Sequence, residues 1–138
     1  DRLRWCAGNA ETLPFDRASA DVVTIAFGLR NVTDRDAAIA EAYRILRPGG
    51  RFLCLEFSQV SNAMLARLYD GWSFNVLPRL GQLVAGDADS YRYLVESIRT
   101  FPAPEILADM FAAAGFAQVR VRRLSGGIAC IHSGWKLD

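Results

Sequence analysis

Apolar residues along the chain follow two different rhythms. Residues 21–27 read Asp-Val-Val-Thr-Ile-Ala-Phe, and residues 51–57 read Arg-Phe-Leu-Cys-Leu-Glu-Phe. Both runs are nearly continuous in apolar residues, which predicts strands covered on both faces, as in a parallel sheet. Residues 3–7 predict a shorter strand that ends at Gly8. Between these runs the period changes to a helical one. Ile39, Ala42, Tyr43 and Leu46 share one stripe, so residues 33–46 are expected to form a helix. Thr33 is its expected cap, with Asp36 three residues on, and Pro48-Gly49-Gly50 is its expected stop.

The rest of the chain repeats the alternation. Residues 61–98 read as helical, with interruptions at Gly71, Pro78, Gly81 and Gly86. Pro104-Glu105 opens a further helix whose stripe is Ile106, Leu107, Met110, Phe111 and Ala114, closed by Gly115. Residues 118–124 and 128–135 alternate at period two, and Ser125-Gly126-Gly127 joins them as a hairpin. The layout is α/β, a largely parallel sheet with an antiparallel strand contributed by the terminal hairpin. No repeat or low-complexity tract divides it, so residues 1–138 are read as one domain. Ligands of such sheets bind beyond the carboxyl ends of the strands. Those ends fall at residues 8–10, 26–31 and 57–58.

Composition narrows the function. Hydrophobic residues make up 51% of the 138 and charged residues 22%, which excludes a disordered chain. A net charge of +1 argues against a nucleic-acid binder. Lys136 is the sole lysine among sixteen basic residues. Cys6, Cys54 and Cys130 lack metal or redox spacing and are expected to be buried, reduced thiols of a cytoplasmic protein. One histidine, His132, and scattered cysteines leave no ordinary zinc site, so no metal is expected. No apolar run reaches the roughly 18 residues of a membrane span. Asp1 falls inside a strand pattern, which suggests a chain that begins partway through a sheet.

Several residues near the strand ends carry candidate chemistry. Arg30 follows a buried strand, where a guanidinium can hold an anion or stabilise a developing phenolate. The plain alternative is a surface ion pair with Asp34 or Asp36. Gly28 permits close approach of backbone to a ligand. Asn9 can read a purine edge or close an Asx-turn. Pro48-Gly49-Gly50 ends a helix instead of opening one, so it does not read as a phosphate loop. Tyr69, Asp70, Trp72, Ser73 and Phe74, and then Asp87, Asp89, Ser90, Tyr91, Arg92 and Tyr93, form two polar-aromatic clusters. They suit a pocket for an oxygenated aromatic ring, or simply amphipathic helices with capping aspartates. His132 lies within a terminal strand and reads as structural.

Five runs stand in a telling order: Asn9-Ala10-Glu11-x-Leu13-Pro14-Phe15; residues 24–34, Thr-Ile-Ala-Phe-Gly-Leu-Arg-Asn-Val-Thr-Asp; Leu46-x-Pro48-Gly49-Gly50; Leu55-Glu56-Phe57-Ser58; and residues 86–99, which open Gly-Asp-Ala-Asp-Ser-Tyr-Arg-Tyr. Ala114-Gly115-Phe116 and Gly126-Gly127-Ile128 follow. Over essentially its whole length the chain resembles the ubiquinone/menaquinone biosynthesis C-methyltransferase family. The Phe-Gly-Leu-Arg-Asn-Val and Gly-Asp-Ala-Asp-Ser-Tyr-Arg-Tyr runs are highly specific. The Leu-x-Pro-Gly-Gly run supports only the class I methyltransferase superfamily.

The resemblance implies a Rossmann-like, seven-stranded sheet of order 3-2-1-4-5-7-6 and S-adenosylmethionine as cofactor. It implies a polyprenylated benzoquinol or demethylmenaquinol as methyl acceptor. Adenine contacts carry over to Asn9 and Ala10, and a further cofactor contact to Ala26, where some members have Ser. Arg30 and Asn31 fall on the pair beside the acceptor, and the two polar-aromatic clusters make Tyr69, Asp70, Asp87 and Tyr91 the residues expected to contact the substrate. A base acting through water is needed, with Asp70, Asp87 and His132 as candidates. A homodimer or a quinone-biosynthesis complex, and transient contact with the inner-membrane surface by an otherwise cytoplasmic protein, are the partners it allows.

One departure is large. The family opens with a glycine-rich turn and an acidic strand end, and neither is present here. The chain therefore reads as the carboxyl-terminal part of the enzyme, strands three to seven. Residues 22–27 would then be an uncovered edge, and the chain alone should bind cofactor poorly and tend to pair with another chain. Two other functions remain open: a non-catalytic or split α/β binding module lacking the cofactor loop, and a class I methyltransferase for another small molecule.

Overall fold

The computed structural model describes residues 3–58 and 88–138. Its elements run β1 (Ala20–Ala26), α1 (Arg35–Ile45), β2 (Leu46–Phe57), α2 (Ala88–Thr100), α3 (Pro104–Ala113), β3 (Ala117–Leu124) and β4 (Ala129–Trp135). The strands form one sheet of order β1-β2-β4-β3. β1 and β2 are parallel, and the other two pairings are antiparallel. That order is the 4-5-7-6 run of the expected sheet. The terminal hairpin is present as the pattern indicated.

Alternation along β2 and β4 decides the core. Phe52, Cys54 and Glu56 face one side, opposite Gly134, His132 and Cys130 of β4. Helices α1 and α3 cover this side with Ile39, Ala42, Leu107 and Phe111. Phe52 and Phe111 stack at 4.9 Å, and Phe116 packs against both rings. Such aromatic clusters add stability beyond the area they bury.

Several local expectations change. Residues 3–8 form no strand, and Leu3 and Trp5 are exposed. A strand needs a hydrogen-bonded neighbour, and among the described residues nothing pairs with this segment. β1 is not covered on both faces: it is an edge of the described sheet, and Val22 is 55% exposed. The cap of α1 is Asp34 instead of Thr33, its carboxylate accepting the Ala37 N–H at 2.9 Å. Of residues 61–98, the described part is within α2, and the remainder of that span lies outside the described residues.

Pro48-Gly49-Gly50 does not follow a helix that reaches Leu46. α1 stops at Ile45, and β2 begins at the next residue. The segment is an irregular part of β2, lying where the register with β1 slips between Ala20 and Val22. Gly49 has φ +81, and its N–H donates to the Lys136 carbonyl. A Cβ on Gly50 would meet the Arg47 carbonyl at 2.8 Å. These glycines therefore serve close backbone packing.

Candidate functional site

The carboxyl ends of β1 and β2 meet at a short turn. Ala26 is exposed and pairs with Leu55. Phe27 leaves the strand with φ +54, a left-handed conformation that a bulky residue adopts only when its surroundings hold it. Its N–H donates to the Leu55 carbonyl at 2.9 Å, its carbonyl accepts from Arg30 Nη1, and its ring lies 4.6 Å from that of Phe57. Leu29, 1% exposed, pins the following 3-10 turn (Leu29–Asn31) into the core. Gly28 has an ordinary φ of −121, and a Cβ there would press on Ile25 Cγ1 at 3.2 Å, so internal packing already accounts for it.

Arg30 pairs with neither Asp34 nor Asp36. Its partner is Glu56, at 3.1 Å from Nη1, and the two side chains are 11% and 1% exposed. Glu56 also accepts the backbone N–H groups of Arg30 and Phe57, at 3.2 and 3.3 Å. The Arg30 guanidinium lies over the Phe57 ring at 5.6 Å, and its Nε has no hydrogen-bond partner among the described residues. Its carbonyl accepts from Arg35 Nη2 at 3.4 Å. Asn31 is exposed, and its Oδ1 accepts from the Tyr93 hydroxyl of α2 at 3.1 Å.

The loop carrying Asn9 and Ala10 is brought to the same side. Asn9 closes the Asx-turn, its Oδ1 accepting the Glu11 N–H at 3.0 Å. Glu11 in turn accepts the N–H groups of Thr33 and Asp34, at 3.1 and 3.0 Å, directly after the Arg30–Asn31 turn. Glu41 accepts the Leu13 N–H at 2.8 Å, and its ion pair with Arg44 holds its carboxyl below the usual range. Asn9, Ala10, Ala26, Arg30 and Asn31 thus share one end of the sheet. Tyr69, Asp70 and Asp87 lie outside the described residues, and Tyr91 falls within α2.

His132 is elsewhere. It stands opposite Cys54 in the sheet, buried beside Phe111, with Nε2 2.8 Å from the Pro104 carbonyl. That placement withdraws it from the candidate bases. Cys54 is buried and its thiol is pushed up to about 12, first by burial and then by the Glu56 charge. Cys130 is buried, whereas Cys6 is exposed, contrary to expectation. Among the described residues no group of three metal-ligating side chains occurs. Nor is any described helix long and apolar enough to cross a membrane.

Glu56 stands in the Leu55-Glu56-Phe57-Ser58 run, where the sequence pattern assigns it no role. Its signal was present: an acid at an inward position of an apolar strand is buried only when paired. Glu11 and Tyr93 were quoted within motifs, but their partners are 22 and 62 residues away.

The model of the ubiE/COQ5 methyltransferase family matches residues 1–136. The chain belongs to that family. It is 61% identical over 136 residues to the ubiquinone/menaquinone biosynthesis C-methyltransferase UbiE of Methylobacterium nodulans, covering 99% of this chain and 54% of that protein. It is 57% identical over 137 residues to UbiE of Brucella canis, covering 99% and 51%. The chain thus spans about half the length of the curated relatives it matches. A SAM-dependent methyltransferase of Thermotoga maritima shares the fold, with a TM-score of 0.64 at 23% identity over 94% of this chain and 62% of that one.

Proposed function

We propose that the full-length protein carrying this chain is an S-adenosylmethionine-dependent C-methyltransferase of ubiquinone or menaquinone biosynthesis. Its acceptor is a polyprenylated benzoquinol or a demethylmenaquinol. The observation that carries this reading is the shared end of the sheet, where the Asn9–Ala10 loop is tied by Glu11 to the residues that follow Arg30 and Asn31. Family membership supplies the reaction class.

The donor set fits the cofactor. The Asx-turn occupies Asn9 Oδ1 and leaves the Asn9 amide nitrogen to donate to a purine edge, with the Ala10 backbone beside it. Ala26 presents backbone and a methyl group at the end of β1. Bound S-adenosylmethionine supplies a methyl group on a positively charged sulfur. The acceptor carbon is made nucleophilic by its neighbouring hydroxyls, and the chain's task is to position it and favour phenolate character. Arg30 holds the acceptor oxygen. Its Nη1 is committed to Glu56 and the Phe27 carbonyl, so Nη2 carries that contact. The Asn31 amide nitrogen, with Oδ1 fixed by Tyr93, donates alongside. Arg30 holds that oxygen and is not the base. With His132 in the core, Asp70 and Asp87 remain the candidate bases acting through water, and Tyr69 and Tyr91 are assigned to the acceptor ring. A homodimer, or a quinone-biosynthesis complex at the inner-membrane surface, is the proposed setting for so hydrophobic an acceptor.

The test is Arg30→Ala in the full-length protein, assayed with both quinol classes. Turnover is expected to fall on the order of a hundredfold, as for removal of an oxyanion donor, with no comparable loss of cofactor affinity. Equal loss of both would overturn the role given to Arg30.

A further inference from the structure

Glu56 occupies a place where an apolar residue would serve packing better. It sits on the inward face of β2, in line with Phe52 and Cys54, and its side chain is 1% exposed. Buried ion pairs are commonly no more stabilising than apolar residues of similar volume. The stability of the sheet does not by itself call for one here. The three contacts of Glu56 all converge on the turn at the strand ends: Arg30 Nη1, the Arg30 N–H and the Phe57 N–H.

The charge of the pair bears on the cofactor. A guanidinium beside the methyl acceptor also stands near a positively charged sulfur. Unpaired, it would oppose binding of that sulfonium without the same penalty for the product, whose sulfur is uncharged. Arg35 adds a second cation close by, over the Phe101 ring and donating to the Arg30 carbonyl. Glu56 cancels one of these charges while holding the Arg30 side chain in place. We propose that Glu56 is a positioning residue that neutralises and orients Arg30, so that this end of the sheet accepts a sulfonium next to an arginine. The proposal rests on the reading above, which sets Arg30 beside the methyl acceptor.

The experiment compares affinities of S-adenosylmethionine and S-adenosylhomocysteine, which differ by the sulfur charge, for the full-length protein. Calorimetric titration of wild type, Glu56→Gln, Arg30→Met and the double variant reads the ratio directly. Glu56→Gln is expected to lower the methionine-to-homocysteine affinity ratio roughly tenfold, the size of one screened charge at moderate distance. Arg30→Met alone is expected to shift the ratio the opposite way, and the double variant, which removes one charge of each sign, is expected to return it to within about twofold of wild type. Equal loss of both ligands in Glu56→Gln would overturn the proposal and reduce Glu56 to packing. Should Glu56→Gln not fold, Glu56→Asp keeps the charge on a shorter arm. It is expected to preserve the ratio while raising the KM for the quinol, and a changed ratio with an unchanged KM would overturn the proposal equally. The two readings fail separately. Full turnover in Arg30→Met sinks the role of Arg30. Lost turnover there, with an unaltered ratio in Glu56→Gln, sinks only the inference about Glu56.

Discussion

The Tyr93 hydroxyl donates to Asn31 Oδ1 at 3.1 Å, joining α2 to the turn at the end of β1 across 62 residues of sequence. Tyr93 is 58% exposed, so the bond contributes little to folding and much to the orientation of one amide. With Oδ1 engaged, the Asn31 amide nitrogen is the group left to meet a ligand. Tyr93→Phe is therefore expected to leave the unfolding midpoint nearly unchanged and to lower quinol turnover by roughly three- to tenfold, in line with the loss of one hydrogen bond. Steady-state kinetics with a parallel thermal melt checks this. A large drop in melting temperature with turnover intact would contradict it.

His132 makes stability depend on pH in a definite direction. Burial holds its imidazole below the usual 6.5, only partly opposed by the Pro104 carbonyl. Its Nε2 is 2.8 Å from that carbonyl, and its Nδ1 has no partner among the described residues. The folded chain thus takes the proton at lower pH than the unfolded chain does. Stability is complete above about 6.5 and falls as pH drops below it, levelling off beneath the folded value. Denaturant midpoints from pH 7 to 5 should show this fall. Glu41 and Glu105 carboxyls, held below 4.5 by their arginine and backbone contacts, titrate lower and add little in that window. His132→Gln keeps a donor for Pro104 without titrating, so its midpoint should be flatter across the same range. An equal slope in the variant would reject the assignment.

Lys136 closes the carboxyl end of α1 from the far end of the chain. It is 5% exposed, and its Nζ donates to the carbonyls of Tyr43 and Leu46 at 3.0 and 2.9 Å. The same ammonium lies 4.6 Å from the Tyr43 ring. Lysine near a helix C-terminus satisfies carbonyls that have no partner within the helix. Lys136→Met keeps the aliphatic packing and removes the donors. It is expected to cost about 2 kcal/mol, in the range of hydrogen bonds to charged groups. Equilibrium unfolding in denaturant measures it, and a change within about 0.5 kcal/mol, ordinary for a surface substitution, would show that water replaces the lost donor.

Local chemistry made most of the elements legible before any tertiary contact was known. Ile39 and Ala42 of the expected stripe lie on the face that α1 buries, and Pro104 opens α3 where expected. The hairpin follows from two alternating runs around Ser125-Gly126-Gly127. The motif residues at the strand ends were also readable, because strand, glycine and arginine stand next to one another in the sequence. Boundaries were less so. Asp34 displaced Thr33 as the cap because the choice depends on which side chain reaches the Ala37 N–H, a matter of backbone angle. β2 begins at Leu46 because its first residues pair with β1 and with the segment around Lys136, which lies 90 residues further along.

The sequence by itself determined the α/β alternation and the antiparallel end, since each rests on periodicity or on neighbours within a few positions, whereas the candidate site residues rest on the resemblance of their motifs to the family. Only the tertiary structure decided what those residues are bonded to. Arg30 read as a free guanidinium facing a crevice, or as a surface partner of Asp34 or Asp36. The parallel register of β1 on β2 places Glu56 beside it instead, 26 positions away. His132 read as structural or as a base, and the pairing of β4 on β2 set it opposite Cys54 in the core. A charge is named by the sequence, but its partner is fixed by the register of strands, and register is a property of the whole sheet.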